Sequence, residues 1–204
     1  MNLKSLLLGR DRIAIRSIRP DDRERLVRAF HALDGQSIYL RFFFHKRALS
    51  DKDLRQITEC DGTRVVALVA TVETGAQEAI VGLGQYARQG TTAHIAFAVE
   101  EDFQGRGIAT RLLRRLVRIG RDQGISHFEA DVLPENLPML QVFRRSGLPL
   151  EESEEDGAVH LTLVIGDANR QAEAPNAERY RPNGDRLLTT SAQAPTTVTT
   201  EPRC

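Results

Sequence analysis

The segment from Thr92 to Thr110 constrains the fold of this chain more than any other stretch. It opens as an alternating run, Thr92-Ala93-His94-Ile95-Ala96-Phe97-Ala98-Val99, and passes through the acidic Glu100-Glu101-Asp102. It then turns on Gln104-Gly105-Arg106-Gly107 straight into Ile108, Ala109 and Thr110 at the head of a long amphipathic stretch. A strand joined to a helix by so tight a turn has to pack that helix against a sheet, which points to an α/β or α+β domain. The turn also has chemical meaning. The first-turn N–H groups of a helix lack internal partners, and the helix dipole places positive charge there, so the position suits an anion. Gly105 and Gly107 lack Cβ, so the backbone can take positive φ and come close to a phosphate. The pattern is not a Walker loop, because no Gly-Lys-Ser/Thr follows, nor a dinucleotide fingerprint, because Thr110 stands where a third Gly or Ala belongs.

The flanking sequence supplies the rest of a mixed sheet. Arg12–Ile18 predicts a first strand. Pro20-Asp21 opens a helix, with Asp21 and Glu24 spaced as a capping box and Leu26, Val27, Phe30 and Leu33 as its apolar stripe. Ser50 with Asp53 caps a second helix carrying Leu54 and Ile57. Val65–Val72 predicts a buried strand, and Ala79–Tyr86 a second one joined through Thr74-Gly75. Gly82 and Gly84 within that strand point to close packing or a bulge. Gly107–Arg121 has helical spacing and stops at Gly124. His127–Leu133 predicts a strand, Asn136–Ser146 a short helix capped by Asn136, and Ala158–Val164 a strand after the Asp156-Gly157 turn. The expected order is β-α-α-β-β-β-α-β-α-β, with one further short strand near Leu148–Glu151.

Residues 12–165 thus form the predicted domain, 1–11 an N-terminal extension, and 166–204 a Thr/Ala/Pro-rich tail. The tail is too poor in large apolar residues to offset its ordering entropy, so the sequence predicts disorder there. Lys plus Arg and Asp plus Glu number 28 each, a balance that argues against a dedicated nucleic-acid binder. Two cysteines, Cys60 and Cys204, make no disulfide framework and suggest a reducing, cytoplasmic setting. Leu6-Leu7-Leu8 is too short for a signal or a membrane span. No His, Cys or carboxylate spacing suggests a metal site.

Gln104-Gly105-Arg106-Gly107-Ile108-Ala109 resembles the acetyl-CoA motif of the GNAT superfamily of N-acetyltransferases, Gln/Arg-x-x-Gly-x-Gly/Ala, with Gln104, Gly107 and Ala109 at the defining positions. The resemblance continues through Asn136-Leu137-Pro138-Met139-Leu140 and Arg144-Arg145-Ser146-Gly147-Leu148, and spans roughly residues 12 to 165. Ser37-Ile38-Tyr39-Leu40-Arg41-Phe42-Phe43 with Leu49-Ser50 and Asp53-Leu54 is similar to bacterial protein-lysine acetyltransferases, although Tyr39, Phe42 and Phe43 also suit an aromatic cluster between helix and sheet. The resemblance implies a GNAT-like mixed sheet flanked by helices. It implies acetyl-CoA as cosubstrate without a metal. The backbone of Phe97, Ala98 and Val99 would lie along the pantetheine arm. The amides from Gln104 through Gly105, Arg106, Gly107, Ile108 and Ala109 to Thr110 would hold the pyrophosphate, and Asn136 would stand near the pantetheine or the exit of the thiol.

Acyl transfer to an amine requires a base, because an alkyl ammonium with a pKa near ~10.4 is almost wholly protonated at neutral pH. On the alternating strand, Ile95, Phe97 and Val99 face the core, and His94 shares the other face with the small Ala96 and Ala98. Relatives commonly carry glutamate where His94 stands, and histidine can do the same work. Glu100 and Glu101 are the alternative bases. Many relatives place a tyrosine acid where this chain has Phe143, which cannot donate a proton. Of the arginines on the long helix, Arg111 could attract phosphate, whereas Arg114, Arg115, Arg118 and Arg121 suit a solvated face. Three functions stay open: transfer of acetyl to a protein lysine by direct attack in a ternary complex, the same reaction on a small-molecule amine, and a non-catalytic acyl-CoA sensor or scaffold.

Overall fold

A computed structural model describes residues 12–42, 46–74 and 77–166. The expectations for the extension, for the tail beyond Gly166 and for Phe43, and any placement of the Phe42 ring, lie outside the described residues. The chain forms β1 (Ala14–Ser17), α1 (Arg23–Ala32), α2 (Gly35–Phe42), α3 (Asp51–Thr58), β2 (Val65–Thr74), β3 (Gln77–Gln89), β4 (Thr92–Val99), α4 (Ile108–Asp122), β5 (His127–Val132), α5 (Leu137–Arg144), β6 (Leu150–Glu155) and β7 (Ala158–Val164). The sheet runs β1-β2-β3-β4-β5-β7-β6. All neighbours are antiparallel except β4 and β5.

Two helix layers explain the unbroken apolar run of β2. Val66, Leu68, Ala70 and Val72 belong to a core with Leu112, Leu113 and Leu116 of α4 and with Leu140 and Phe143 of α5. Ala67 and Val69 join a second core with Leu26 and Phe30 of α1 and Leu54 and Ile57 of α3. A strand covered on both faces has no reason to alternate. At β3 the register slips between Ala70 and Thr71, which pair with Gly82 and Ile80, so Val81 is the extra residue of a bulge. Gly82 and Gly84 make room for the helix behind them. A Cβ on Gly82 would come 3.0 Å from Cγ2 of Ile108, and one on Gly84 would come 2.9 Å from the Phe97 ring and 3.2 Å from Cβ of Leu112.

The local signals hold with two amendments. Ser50 Oγ accepts the Asp53 N–H at 3.2 Å while Asp53 Oδ2 accepts the Ser50 N–H at 2.7 Å, the reciprocal box that the sequence implies. At α1 the expected Asp21/Glu24 box is not formed. Asp22 does the work from a short 3-10 turn, Pro20–Asp22, its Oδ2 accepting the Arg19 N–H at 2.8 Å. Its carboxylate also takes a bidentate pair from Arg16, at 2.6 and 2.8 Å, and Arg16 reaches on to Glu78. The aligned guanidinium is what draws the acid inward. The second amendment is α2, a helix that the sequence order omits. Asp34 caps it, with Oδ1 accepting the Ser37 N–H at 2.6 Å. The short strand near Leu150 is present as β6, and Asp156 and Gly157 form its hairpin turn with φ of 53° and 76°, the positive pair of a type I′ turn.

The arginines of α4 depart from a simple solvated face. Arg111 and Arg115 donate to the carbonyls of Ile13 and Ile15, at 3.0 and 2.8 Å, so they fasten the edge strand β1, and Arg121 donates to the carbonyl of Ile165 at 2.5 Å. Side chains this long can span from a helix to a strand end, which residue type alone does not reveal.

Two measurements check this architecture. Gly84→Ala overpacks the Phe97–Leu112 contact and should lower stability by about 1–3 kcal/mol, read as a lower denaturation midpoint at unchanged m-value. Asp22 is fully buried. Burial alone would raise its pKa, but the bonds from Arg16 and Arg19 outweigh it and hold the carboxyl below its ordinary value. Its contribution is therefore present above the unfolded carboxylate pKa, near ~3.9, and is lost as pH falls through the depressed folded value. Asp22→Asn should cost roughly 1–3 kcal/mol at pH 7, and its gap from wild type should close in strongly acidic titration.

Candidate functional site

The site grows from a mismatch between two strands. β4 pairs with β5 over only three rungs, Thr92↔His127, Ala93↔Phe128 and His94↔Glu129. On its other side β4 stays paired with β3 as far as Val99↔Gly82. From Ile95 onward, the main-chain groups of β4 that point toward β5 face a gap. Together β4, β5, β7, α2, α5 and the head of α4 line an open cleft of about 1450 Å³.

At the mouth of the gap the chain enters the glycine turn. Gly105 and Gly107 have φ of 71° and 73°, in the left-handed region where a Cβ is strained, and an added Cβ at either meets no neighbour within 4 Å. The first helical bond of α4 runs from the Arg111 N–H to the Gly107 carbonyl at 3.0 Å. The six amides from Gly105 to Thr110 donate to no protein acceptor among the described residues. Each could satisfy an anion, and the α4 dipole adds its positive end. Arg106 lies over the Phe103 ring, 4.8 Å from its centroid, and stays exposed. Ile108 is buried against Gly82, which fixes the helix head, while Ala109 and Thr110 are half-buried and line the cleft. Gln104 Nε2 donates to the Val99 carbonyl at 3.1 Å and stands 3.5 Å from Ser37 Oγ on α2.

Phe97 is buried and sets its ring edge-on to Phe143, with centroids 5.9 Å apart, while Ala98 and Val99 are half-buried beside the gap. Phe143 is core packing and offers no proton. Asn136 lines the cleft but commits its Oδ1 to the α5 cap, accepting the Met139 N–H at 3.3 Å.

The three carboxylate and imidazole candidates separate cleanly. His94 is half exposed on the cleft wall, and its Nε2 lies 3.2 Å from Oε2 of Glu129. Glu101 also reaches the cleft; its Oε2 accepts the Asp34 N–H at 3.3 Å and its Oε1 is buried without a partner. Glu100 is not among the residues lining the cleft. Burial first, then the charges of Asp102 and Glu101, push its pKa up. Glu129 escaped the sequence reading, and Ser37, Leu40 and Arg41, singled out there only for a resemblance, prove to sit on helix α2 at the cleft wall. The alternation of His127, Glu129 and Asp131 against the buried Phe128, Ala130 and Val132 was the available signal for an open polar face on β5. No cluster of metal-ligating residues exists among the described residues, and no helix there is long and apolar enough to cross a membrane.

A family model described as the Acetyltransferase (GNAT) family matches residues 32–148, more than half of the chain. This chain belongs to the GNAT family. It is 30% identical over 139 residues to acetyltransferase Pat of Mycolicibacterium smegmatis, a match covering 65% of this chain and 40% of Pat. It is 29% identical over 114 residues to acetyltransferase PA5475 of Pseudomonas aeruginosa, covering 55% of this chain and 61% of that protein. The chain therefore spans less than two thirds of the length of either curated relative. Among solved structures, the GNAT domain of S. lividans PAT superposes with a TM-score of 0.67 at 35% identity, covering 74% of this chain and 89% of that domain. GNAT acetyltransferases use acetyl-CoA and act on amines. The free amides at the head of α4 suit its pyrophosphate, and the open edge of β4 suits its amide-bearing arm.

Gly107→Val tests this cradle. A β-branched residue cannot hold φ near 73° without strain, and relieving that strain would turn the amides of the loop away from their common centre. CoA affinity by calorimetry should fall at least ~10-fold, about 1.4 kcal/mol, with the circular dichroism of the fold retained.

Proposed function

We propose that this protein is an acetyl-CoA-dependent N-acetyltransferase that acetylates a lysine side chain of a protein, by direct attack of the amine on the thioester in a ternary complex. The observation that carries the reading is the run of six unpartnered amides from Gly105 to Thr110 opening directly onto the gap between β4 and β5. Gln104 to Thr110 hold the pyrophosphate, Phe97 to Val99 offer main-chain groups to the pantetheine arm, and Asn136 flanks the thiol end. The acceptor amine approaches from the open face of β4 and β5. Support for a protein acceptor is the breadth of that face, a cleft open to solvent rather than a closed pocket, together with similarity to Pat and PAT.

His94 is the base of this reading. It stands at the last rung before the gap, on the cleft wall, whereas Glu100 faces elsewhere and Glu101 is engaged with the α2 cap. An ammonium acceptor must shed two protons overall. His94 takes the first; the amine nitrogen bonds to the acetyl carbon; the C–S bond breaks. The thiolate takes up one proton, the other passes to solvent, and the amide is left neutral. A thiol with a pKa near ~8.5 leaves readily enough for this to proceed without a tyrosine acid, consistent with a buried Phe143. Main-chain N–H groups of β4 at the gap are suited to the oxyanion of the tetrahedral intermediate.

The test is thiol release from acetyl-CoA with lysine-bearing proteins and with small amines, measured against His94→Ala. Amine-dependent release is expected with the proteins, and His94→Ala should lower kcat by about 10²- to 10⁴-fold. Release with small amines alone would move the acceptor to the small-molecule class. CoA binding without release from any amine would leave a sensor domain.

A further inference from the structure

The cleft wall holds two histidine–carboxylate pairs, and they differ in one respect that matters. His160 on β7 places Nδ1 2.5 Å from Asp131 Oδ1 and Nε2 3.2 Å from the Glu155 carbonyl, so both ring nitrogens face acceptors. His94 on β4 places Nε2 3.2 Å from Glu129 Oε2, an ion-pair approach that is not aligned as a hydrogen bond, and its Nδ1 has no partner among the described residues. Only the second ring keeps a nitrogen available to a ligand. Glu129 is also its cross-strand neighbour, the partner at the third and last rung of the β4–β5 ladder. The backbone of two strands, rather than a loop, therefore sets the distance between the two side chains.

We infer that Glu129 is the positioning residue for His94. Its carboxylate is an acceptor only and already stands within reach of Nε2, so a small side-chain rotation lets it take the Nε2–H of the neutral imidazole and fix the proton on that nitrogen. The lone pair is thereby fixed on Nδ1, and Nδ1 is the atom that receives the proton from the acceptor ammonium. The carboxylate also stabilises the imidazolium that forms, without itself being protonated. The two residues form a unit: β4 supplies the ring and β5 the orientation, and a carboxylate that acts through the ring replaces one that would touch the amine itself. This inference rests on His94 being the base.

The experiment has two arms on the full chain. In the first, histidine-ring ¹⁵N spectra of wild type and Glu129→Ala are compared at a pH where the ring is neutral, with His94→Gln used to assign the signal. The wild-type ring should show the Nε2–H tautomer, and Glu129→Ala should shift it to a mixture. A wild-type Nδ1–H tautomer, or a signal indifferent to Glu129→Ala, overturns the inference without any need for turnover. In the second, acetyl transfer to poly-L-lysine is followed by thiol release. Glu129→Ala should lower kcat at least ~10-fold with KM for acetyl-CoA unchanged. Glu129→Gln, whose amide oxygen can still accept the Nε2–H, should recover part of the loss. His94→Ala/Glu129→Ala should be no slower than His94→Ala alone, as expected of residues acting as a unit. If His94→Ala retains full activity, the base assignment fails. If His94→Ala is slow while Glu129→Ala is not, the base stands and the inference about Glu129 falls.

Discussion

The structure depends on how little main-chain pairing joins β4 to β5. Three rungs hold the two strands and then they part, while β3 continues along the other side of β4 for its whole length. A central strand in a sheet normally spends its hydrogen bonds on both neighbours. Here the pairing on one side stops with five residues of β4 still to run. The main-chain groups left over cannot be buried unsatisfied at low cost. They must face water or something that takes water's place. The cleft, the exposed head of α4 and the position of His94 all follow from this early separation.

The two halves of the site use different chemistry. Main-chain amides from Gly105 to Thr110 make one half, and the side chains serve mainly to shape it: Gly105 and Gly107 permit the turn, and Ile108 anchors it against Gly82. Side chains make the other half, with His94, Glu129, Asp131 and His160 presented by three adjacent strands on one face of the sheet. Under the proposed function the donor meets the first half and the acceptor the second. The first is nearly independent of residue identity once its glycines are in place, whereas the second is specified residue by residue. That division accounts for a chain whose glycine turn is readily recognised while His94 and Glu129 on the other half are particular to its own strands.

Much of this was legible before any coordinates. The glycine turn, the alternation of β4 and the Ser50 box each express a local rule, and the structure shows each one. The family match agrees with the resemblance carried by Gln104–Ala109. What escaped was nonlocal or weakly coded. Helix α2 has only eight residues, begins at Gly35 and carries the poor helix former Tyr39, so its Asp34 cap was easy to overlook. Arg111 and Arg115 had to be placed against β1, nearly a hundred residues away in sequence, before their role as fasteners could be seen. Asp22 displaced Asp21 at the head of α1 because Arg16 draws it inward, a contact that no capping pattern encodes. Glu129 is of the same kind: its partner is set by the register of a parallel pair, which the sequence does not state.

The Phe97–Phe143 contact has a mechanical side. Only a few backbone bonds hold the two portions of the sheet together, so their alignment is set from beneath by the apolar layer, in which Phe97 from one portion, Phe128 and Leu161 from the other, and Phe143 from α5 all take part. Those side chains act as a spacer under the fork. Their combined bulk governs how wide it stands open, so a methyl group gained or lost deep in the interior is felt as a change of aperture at the surface.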